Sequence, residues 1–490
     1  MNKIKKEDLK KFIEPHFYDD LRKNEYTIKS IKANILLTHT RLDIAFKLLY
    51  LEMLKYDVKF AKKIYTEHIR AFSLGKFTEP GNDEKNSIDT FIEDFKKTFE
   101  DIKENGFDAS KTLIPLSKNN SIANGAHRVA SAIFLNKDVD CVEIDIDNHI
   151  YDYNFFYNRN ISVDILDTVV TKFIEYASNV HIAFLWPTAV GNDEKIEESI
   201  PNIVYKKEIQ LNPNGAHNLL SQIYYGEEWL GNVEDDFKGS KGKLVECFKT
   251  FDPIRVIAFQ ADSLDEVLKI KDNIRDVFNV GKHSIHITDT KEEALRTARI
   301  VFNDNSIHFL NYAKPNKYTS THKKIEKFKK FIKMNELNSN DILLDSSIIL
   351  SAYGLREAKD TDYFCNDNSK IKVESLDINM HDEELKYYNE NKNEMIYNQK
   401  FYFYFNDIKF ISFSKLYEMK INRAEEKDKN DCKMMEALIE ENKLKELIGK
   451  LRQSVLYTKI KLRAKLMLLL KSIGLYNMMR SFYNLVKGRK

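Results

Sequence analysis

Glycine and proline are scarce in this 490-residue chain, at 15 and 8 residues, and tryptophan occurs only twice. With few glycines to spare for generic turns, a glycine beside other chemistry-bearing residues is informative. The four cysteines, Cys141, Cys247, Cys365 and Cys432, lie far apart and form no CxxC pair. That argues against a disulfide framework and a cysteine zinc site, and predicts free thiols in a reducing compartment. No run of about 18 apolar residues occurs, so no membrane-spanning helix is expected. The opening MNKIKKEDLKKF lacks the apolar stretch of a signal peptide, which makes the cytoplasm the expected location. A net charge of +2 gives no overall basic field, and no helix-turn-helix segment is evident, so nucleic acid is not an expected partner.

What is present is a chain 43% hydrophobic and 31% charged, the balance of well-packed globular domains. Its length predicts more than one domain. Residues 1 to about 108 repeat apolar residues at three- and four-residue spacing and read as helical, with a loop at Pro80-Gly81. From Thr112 the pattern becomes strand, turn, helix, strand: TLIPL, SIANG, RVASAIFL, VDCVEID. A second unit begins near Val180 with VHIAFLWP, NIVYKKEIQL, PIRVIAFQA and SIHITD as strands between helices, one of which Ser263 caps. A Lys-rich connection follows Lys314. A third unit runs through DILLDSSIILSAYGLREAKDTDYF and FYFYFNDIKFIS into a charged helix expected from Lys415 to about Lys450. The expectation is a multidomain α+β protein with domains at 1–160, 178–315 and 335–450. Residues 451–490 form a tail with ten Lys or Arg and no acidic residue, which reads as a basic amphipathic helix for an anionic membrane surface.

Three constellations carry chemistry. In Asn124-Gly125-Ala126-His127-Arg128 a turn leads into a helix whose first N–H groups are unpaired and favour an anion. Arg128 can hold a phosphate bidentately, and His127 can donate to it or move a proton. The stretch IPLSKNNSIANGAHRVASAIFLNKDVDCVEID resembles the ParB/sulfiredoxin superfamily, whose members carry a GxHR or GxRR turn between strand and helix. Ala126 stands where the sulfiredoxin form has cysteine, so the resemblance points to the nucleotide-binding and kinase branches. It implies that Asn124 to Arg128 hold nucleotide phosphates and that an earlier acidic residue, here Glu79, acts as base.

DNIRDVFNVGKHSIHITDTKEEALRTARIVF resembles the C-terminal half of nucleoside diphosphate kinases, which implies a ferredoxin-like α+β domain. His286 would be its phosphoacceptor and Arg275 a phosphate-binding arginine. A degenerate domain of the same fold, kept for binding, is the other reading. LDSSIILSAYGLREAKDTDYF resembles the nucleotidyltransferase superfamily, in which two carboxylates two residues apart on a strand share a face and hold Mg²⁺. Asp360 and Asp362 match that pair. The combined expectation is a kinase using ATP or another nucleotide with Mg²⁺ on a sugar or glycan intermediate of bacterial surface polysaccharide. Nucleotidyl transfer through Asp360 and Asp362, or a non-enzymatic ParB-like binding protein, are the alternatives.

Overall fold

The computed structural model describes residues 2–479 apart from 57, 80–83, 145, 148, 374, 441–442 and 477. The Pro80-Gly81 break and the last eleven residues of the tail therefore lie outside the described residues. Among the described residues the chain is mixed α+β with three sheets.

The first sheet has the order β1-β2-β4-β3, from Asn2–Lys5 (β1), Glu25–Lys32 (β2), Ile114–Leu116 (β3) and Asp138–Glu143 (β4). Strands β3 and β4 are parallel and joined through the Ala126–Phe134 helix, as the sequence predicts, while β1 and β2 add antiparallel at the edge. These two strands correct the expectation of a wholly helical lead-in. EYTIKSIK places Tyr26 and Ile28 at period two, and both pack in a small core with Leu9, Phe17, Leu113, Val142 and Ile144. The helical expectation holds for Asp43–Leu54, Lys59–Phe72 and Ile88–Asn105. The first of these is buried on nearly every side, as its continuous apolar run requires.

The second sheet, β6-β7-β5-β8, is antiparallel throughout: Val180–Leu185 (β5), Ile203–Ile209 (β6), Ile254–Gln260 (β7) and Ile285–Ile287 (β8). The Leu264–Phe278 helix covers one face, burying Val267, Ile270 and Ile274 against Ile257, Ile285 and Ile287. Its start is capped by the Ser263 hydroxyl, which accepts from the Glu266 N–H at 3.3 Å. The opposite face, with Ile182, Phe184, Val256 and Ala258, belongs to a core continuous with the other two units.

The third sheet has the order β11-β10-β9-β13-β12, from Ile342–Asp345 (β9), Thr361–Cys365 (β10), Ile378–Met380 (β11), Tyr402–Phe405 (β12) and Ile408–Ile411 (β13). The β12–β13 hairpin turns on Asn406 and Asp407, both at positive φ (+48° and +62°), the demand of a type I′ turn. The charged helix expected from Lys415 is interrupted at Ala424 (φ +56°), which separates Phe413–Arg423 from Glu426–Ile439, and Lys443–Ser472 is a further helix. The break turns charges inward. Lys420 pairs with Asp428 (3.2 Å) and Asp431 (2.9 Å), Arg423 with Asp428 (2.8 Å) and Arg356 with Asp431 (2.6 Å). A solvated face would leave such charges in water; here they are largely buried and mutually paired.

The units meet around Lys409, which is only 2% exposed. Its ammonium donates to the Ile396 carbonyl at 2.6 Å and to the Asn340 carbonyl, and lies over the rings of Tyr397 and Tyr402. Tyr56 of the first unit stacks on Tyr397 of the third at 4.4 Å. Burial, followed by the Arg299 charge, pulls Lys409 down to about 7, although Glu52 and Asp341 pull the other way. Above that pH the native state releases a proton that the unfolded chain keeps until its ordinary lysine range, so folding stability rises with pH across this window. Urea unfolding at pH 6 and pH 9 is expected to show that rise in the wild type and a smaller one in Lys409→Met.

Candidate active site

After β3 the chain makes a tight reversal, with Ser117 N–H donating to the Ser121 carbonyl at 2.9 Å and Ala123 N–H to the Pro115 carbonyl at 2.8 Å. The run to Gly125 is thus a loop with one bridge, Leu116 to Ile122. Gly125 caps the following helix at φ +93°, in left-handed conformation. A Cβ there would lie 2.8 Å from Ile114 Cδ1 and 2.9 Å from Arg128 Nη2, so glycine is required for both reasons. The helix starts at Ala126, and the N–H groups of its first turn have no intrahelical acceptor.

These residues open onto a cavity of about 450 Å³. Asn124, Ala126 and His127 line it, and so does Glu79, the base expected from sequence. Arg128 does not. Its guanidinium turns back under Gly125 and donates to the Leu113 carbonyl at 3.3 Å, so the arginine braces the turn instead of facing the cavity. His127 Nε2 is 2.8 Å from the Tyr65 hydroxyl, and its ring packs on Phe95 at 4.6 Å. Burial and then the positive charges of Lys47 and Lys85 hold His127 well below the ordinary histidine range, so it is neutral near pH 7. Glu79 pairs with Lys85 at 2.8 Å, and Lys85 also reaches Asp94 at 2.8 Å.

Four further residues form the cavity floor. Arg41, Asp43, Lys47 and His68 are all at most 3% exposed. Arg41 grips Asp43 through two hydrogen bonds of 2.8 Å and also donates to the Ile122 carbonyl, which ties the floor to the turn. Lys47 donates to Asp43 Oδ2 at 3.2 Å and stands 3.2 Å from His68 Nε2. Burial alone would raise the Asp43 carboxyl, but Arg41 and Lys47 outweigh it and hold it well below the usual range. Burial brings Lys47 down to about 8 against the pull of Asp43. The walls add Phe17, Phe72, Phe91 and Tyr151, the last lying against the Arg41 guanidinium at 5.1 Å. The signal for the floor was in the sequence: Arg41, Asp43 and Lys47 interrupt an apolar helical run, and charges there are buried only when paired.

The other residues singled out by sequence lie elsewhere. His286 on β8 alternates with Ile285 and Ile287, so its ring faces away from the Leu264–Phe278 helix, near Phe184 and Tyr224 and 3.4 Å from Glu293. Arg275, on that helix, is bonded to Asp272 at 3.1 Å. Asp362 on β10 sits opposite Asp345 on β9, a residue not anticipated from sequence. Asp345 accepts from Tyr388 Oη at 2.5 Å and from His381 Nδ1 at 2.7 Å. Burial pushes Asp362 up to about 6; His381 opposes this while Asp360 and Asp345 add to it. Asp360, just before the strand, is 3.4 Å from the Ser347 hydroxyl. Among the described residues no group of three His, Cys, Asp or Glu is arranged to hold a metal ion.

Compared with known proteins, the chain matches no family model, no curated protein and no solved structure.

Two substitutions test the architecture. Gly125→Ala is expected to cost roughly 1–3 kcal/mol through backbone strain. Asp43→Asn leaves two buried cations without their counter-charge and is expected to cost about 3–5 kcal/mol. Both are read from urea unfolding midpoints against the wild type.

Proposed function

We propose that the chain is a nucleotide-dependent phosphotransferase acting on a hydroxyl of a sugar or glycan intermediate. The observation that carries this reading is one cavity into which an anion-favouring helix start, a carboxylate and aromatic walls all open. The N–H groups at Ala126 and His127, with Asn124 and Gly125, would hold phosphates of ATP or another nucleotide, which carries Mg²⁺ on its own phosphates. Thr78, Ser73 and Glu79 stand among Phe17, Phe72 and Phe91, a mixture suited to the polar edges and apolar faces of a sugar. The acceptor oxygen attacks the terminal phosphorus, forming one O–P bond as the bond from phosphorus to the bridging oxygen breaks. Glu79 takes the hydroxyl proton, and the nucleoside diphosphate leaves. His127, neutral and fixed by Tyr65, would donate to the phosphate as a hydrogen-bonding group.

The rival site is in the third unit, and Asp360 and Asp362 beside the Ser346-Ser347 turn favour it as a nucleotidyltransferase-like centre. In the middle unit the order β6-β7-β5-β8, built from two split β-α-β units, supports the ferredoxin-like reading. There His286 is proposed as a phosphoacceptor with Glu293 as its partner. The link to surface polysaccharide assembly rests on the tail. The Lys443–Ser472 helix exposes Leu444, Ile448, Leu451, Val455, Leu462, Leu466 and Leu469 at three-, four- and seven-residue spacing, amid basic residues. No helix among the described residues is long and apolar enough to cross a membrane, so the proposed contact is with an anionic membrane surface.

Glu79→Gln is expected to lower kcat by about 10²–10⁴-fold with nucleotide affinity little changed. Asp360→Asn is expected to leave turnover intact, and the reverse pair of results would move the chemistry to the third unit. Calorimetry that detects no binding of ATP, ADP, CTP or GTP overturns the proposal. For the tail, co-sedimentation with phosphatidylglycerol vesicles but not phosphatidylcholine vesicles is expected, with loss after truncation at Ile439. Equal behaviour of the two lipids refutes the membrane contact.

A further inference from the structure

We infer that the cavity floor formed by Arg41, Asp43, Lys47 and His68 is a second anion subsite, one that takes a tetrahedral phosphoryl group. It is separate from the phosphate grip at the helix start. Its role in catalysis rests on the phosphotransferase reading; its capacity to bind an oxyanion does not.

Hydrogen-bond accounting leads to the site. The Lys47 ammonium has three protons, and three acceptors surround it: the Asp43 carbonyl at 3.3 Å, Asp43 Oδ2 at 3.2 Å and His68 Nε2 at 3.2 Å. A charged ammonium has no lone pair, so His68 Nε2 is the acceptor and the neutral ring carries its proton on Nδ1. That Nδ1 is buried and has no hydrogen-bond partner. His68 lines the cavity while Phe46 and Phe72 hold its ring at 5.2 and 4.9 Å, so the orphaned N–H is fixed in place. A buried donor without an acceptor is unusual in a native interior and is a place that a water, an ion or a ligand oxygen would complete.

Charge accounting agrees. Arg41 and Lys47 bring two positive charges to a single carboxylate, and burial keeps His68 neutral. The floor thus holds one uncompensated positive charge away from water. The carboxylates at the lip act on it more weakly than Asp43: Glu79 pulls on Lys47 less than Asp43 does and shares Lys85 with Asp94, while Glu14 is bonded to the neutral side chain of Asn124. Three of the five Arg41 N–H positions are used, two on Asp43 and one on Ile122. A phosphoryl group on the floor supplies an oxygen for His68 Nδ1–H and further oxygens for Arg41, and its charge answers the floor's. The same chemistry comes either from the terminal phosphate of a nucleotide donor or from a phosphate already on a sugar acceptor.

The test is nitrogen-15 NMR of the histidine rings of the full chain, titrated with inorganic phosphate, ATP, ADP and glucose 1-phosphate. Phosphate is expected to shift the His68 Nδ1 resonance. A shift with ATP but not ADP or glucose 1-phosphate assigns the floor to the donor's terminal phosphate; a shift with glucose 1-phosphate assigns it to the acceptor. His68→Phe, which keeps an aromatic ring and removes the N–H, is expected to weaken phosphate binding at least tenfold. His68→Asn, whose amide nitrogen falls near the place of Nδ1, is expected to restore part of it. Absence of any His68 response to all four ligands overturns the inference in the wild-type protein, whatever the variants do. Calorimetry of nucleotide binding on the same samples decides the phosphotransferase reading separately, so either can fail while the other stands.

Discussion

A carboxylate removed from water sets the terms for the first unit. Asp43 can remain ionised there only because Arg41 and Lys47 are held against it, and neither cation would be tolerated in that place without it. Arg41 passes the constraint onward through its bond to the Ile122 carbonyl, which fixes the loop three residues before Gly125. Lys47 passes it to His68 and so fixes the tautomer of that ring. The cavity is therefore shaped by a polar network inside an apolar helix bundle, and its floor is tied together by that network's own hydrogen bonds.

The same economy appears where the units join. One apolar core runs through all three, and some of the polar groups at its edges are satisfied across unit boundaries. The Gln260 side chain of the second sheet accepts from His39 N–H at 2.7 Å and donates to the Leu37 carbonyl at 3.1 Å. Asn303 reaches the Tyr402 carbonyl at 3.1 Å. Such bonds make the junction specific, because a shifted packing would strand buried donors and acceptors. Motion of one sheet against another would break several of these bonds at once.

How much of this was legible in the sequence follows from the range of each interaction. Local signals read well: the β3–helix–β4 pattern and the Ser263 cap each depend on neighbours within a few residues. Strands β1 and β2 were missed because β2 needs a partner far along the chain, β4, and the short edge strand β1 pairs in turn with β2. The single charged helix was expected because Lys, Arg, Asp and Glu at helical spacing usually mean a solvated face. Inward pairing with Arg356, some seventy residues away, decided otherwise. Within the site, Glu79, Asn124, Ala126 and His127, singled out together in the sequence, line one cavity, and Arg128 does not. The floor went unread because Arg41, Asp43 and Lys47 look like ordinary amphipathic punctuation until the bundle closes around them. Asp345 was hidden by its hydrophobic neighbours, and only strand register sets it opposite Asp362.

Arg128 shows what such register does to a motif. Its guanidinium occupies the space behind Gly125 where any side chain would have to go, so glycine and arginine are two halves of one wedge. The arginine sets the angle at which the first N–H groups of the helix are presented, without meeting whatever they hold. A longer or looser residue behind the glycine would leave the sequence pattern almost intact while re-aiming the helix start. In this turn the arginine acts as a gauge block, and the spacing it enforces is carried by shape, with its charge spent on the backbone behind it.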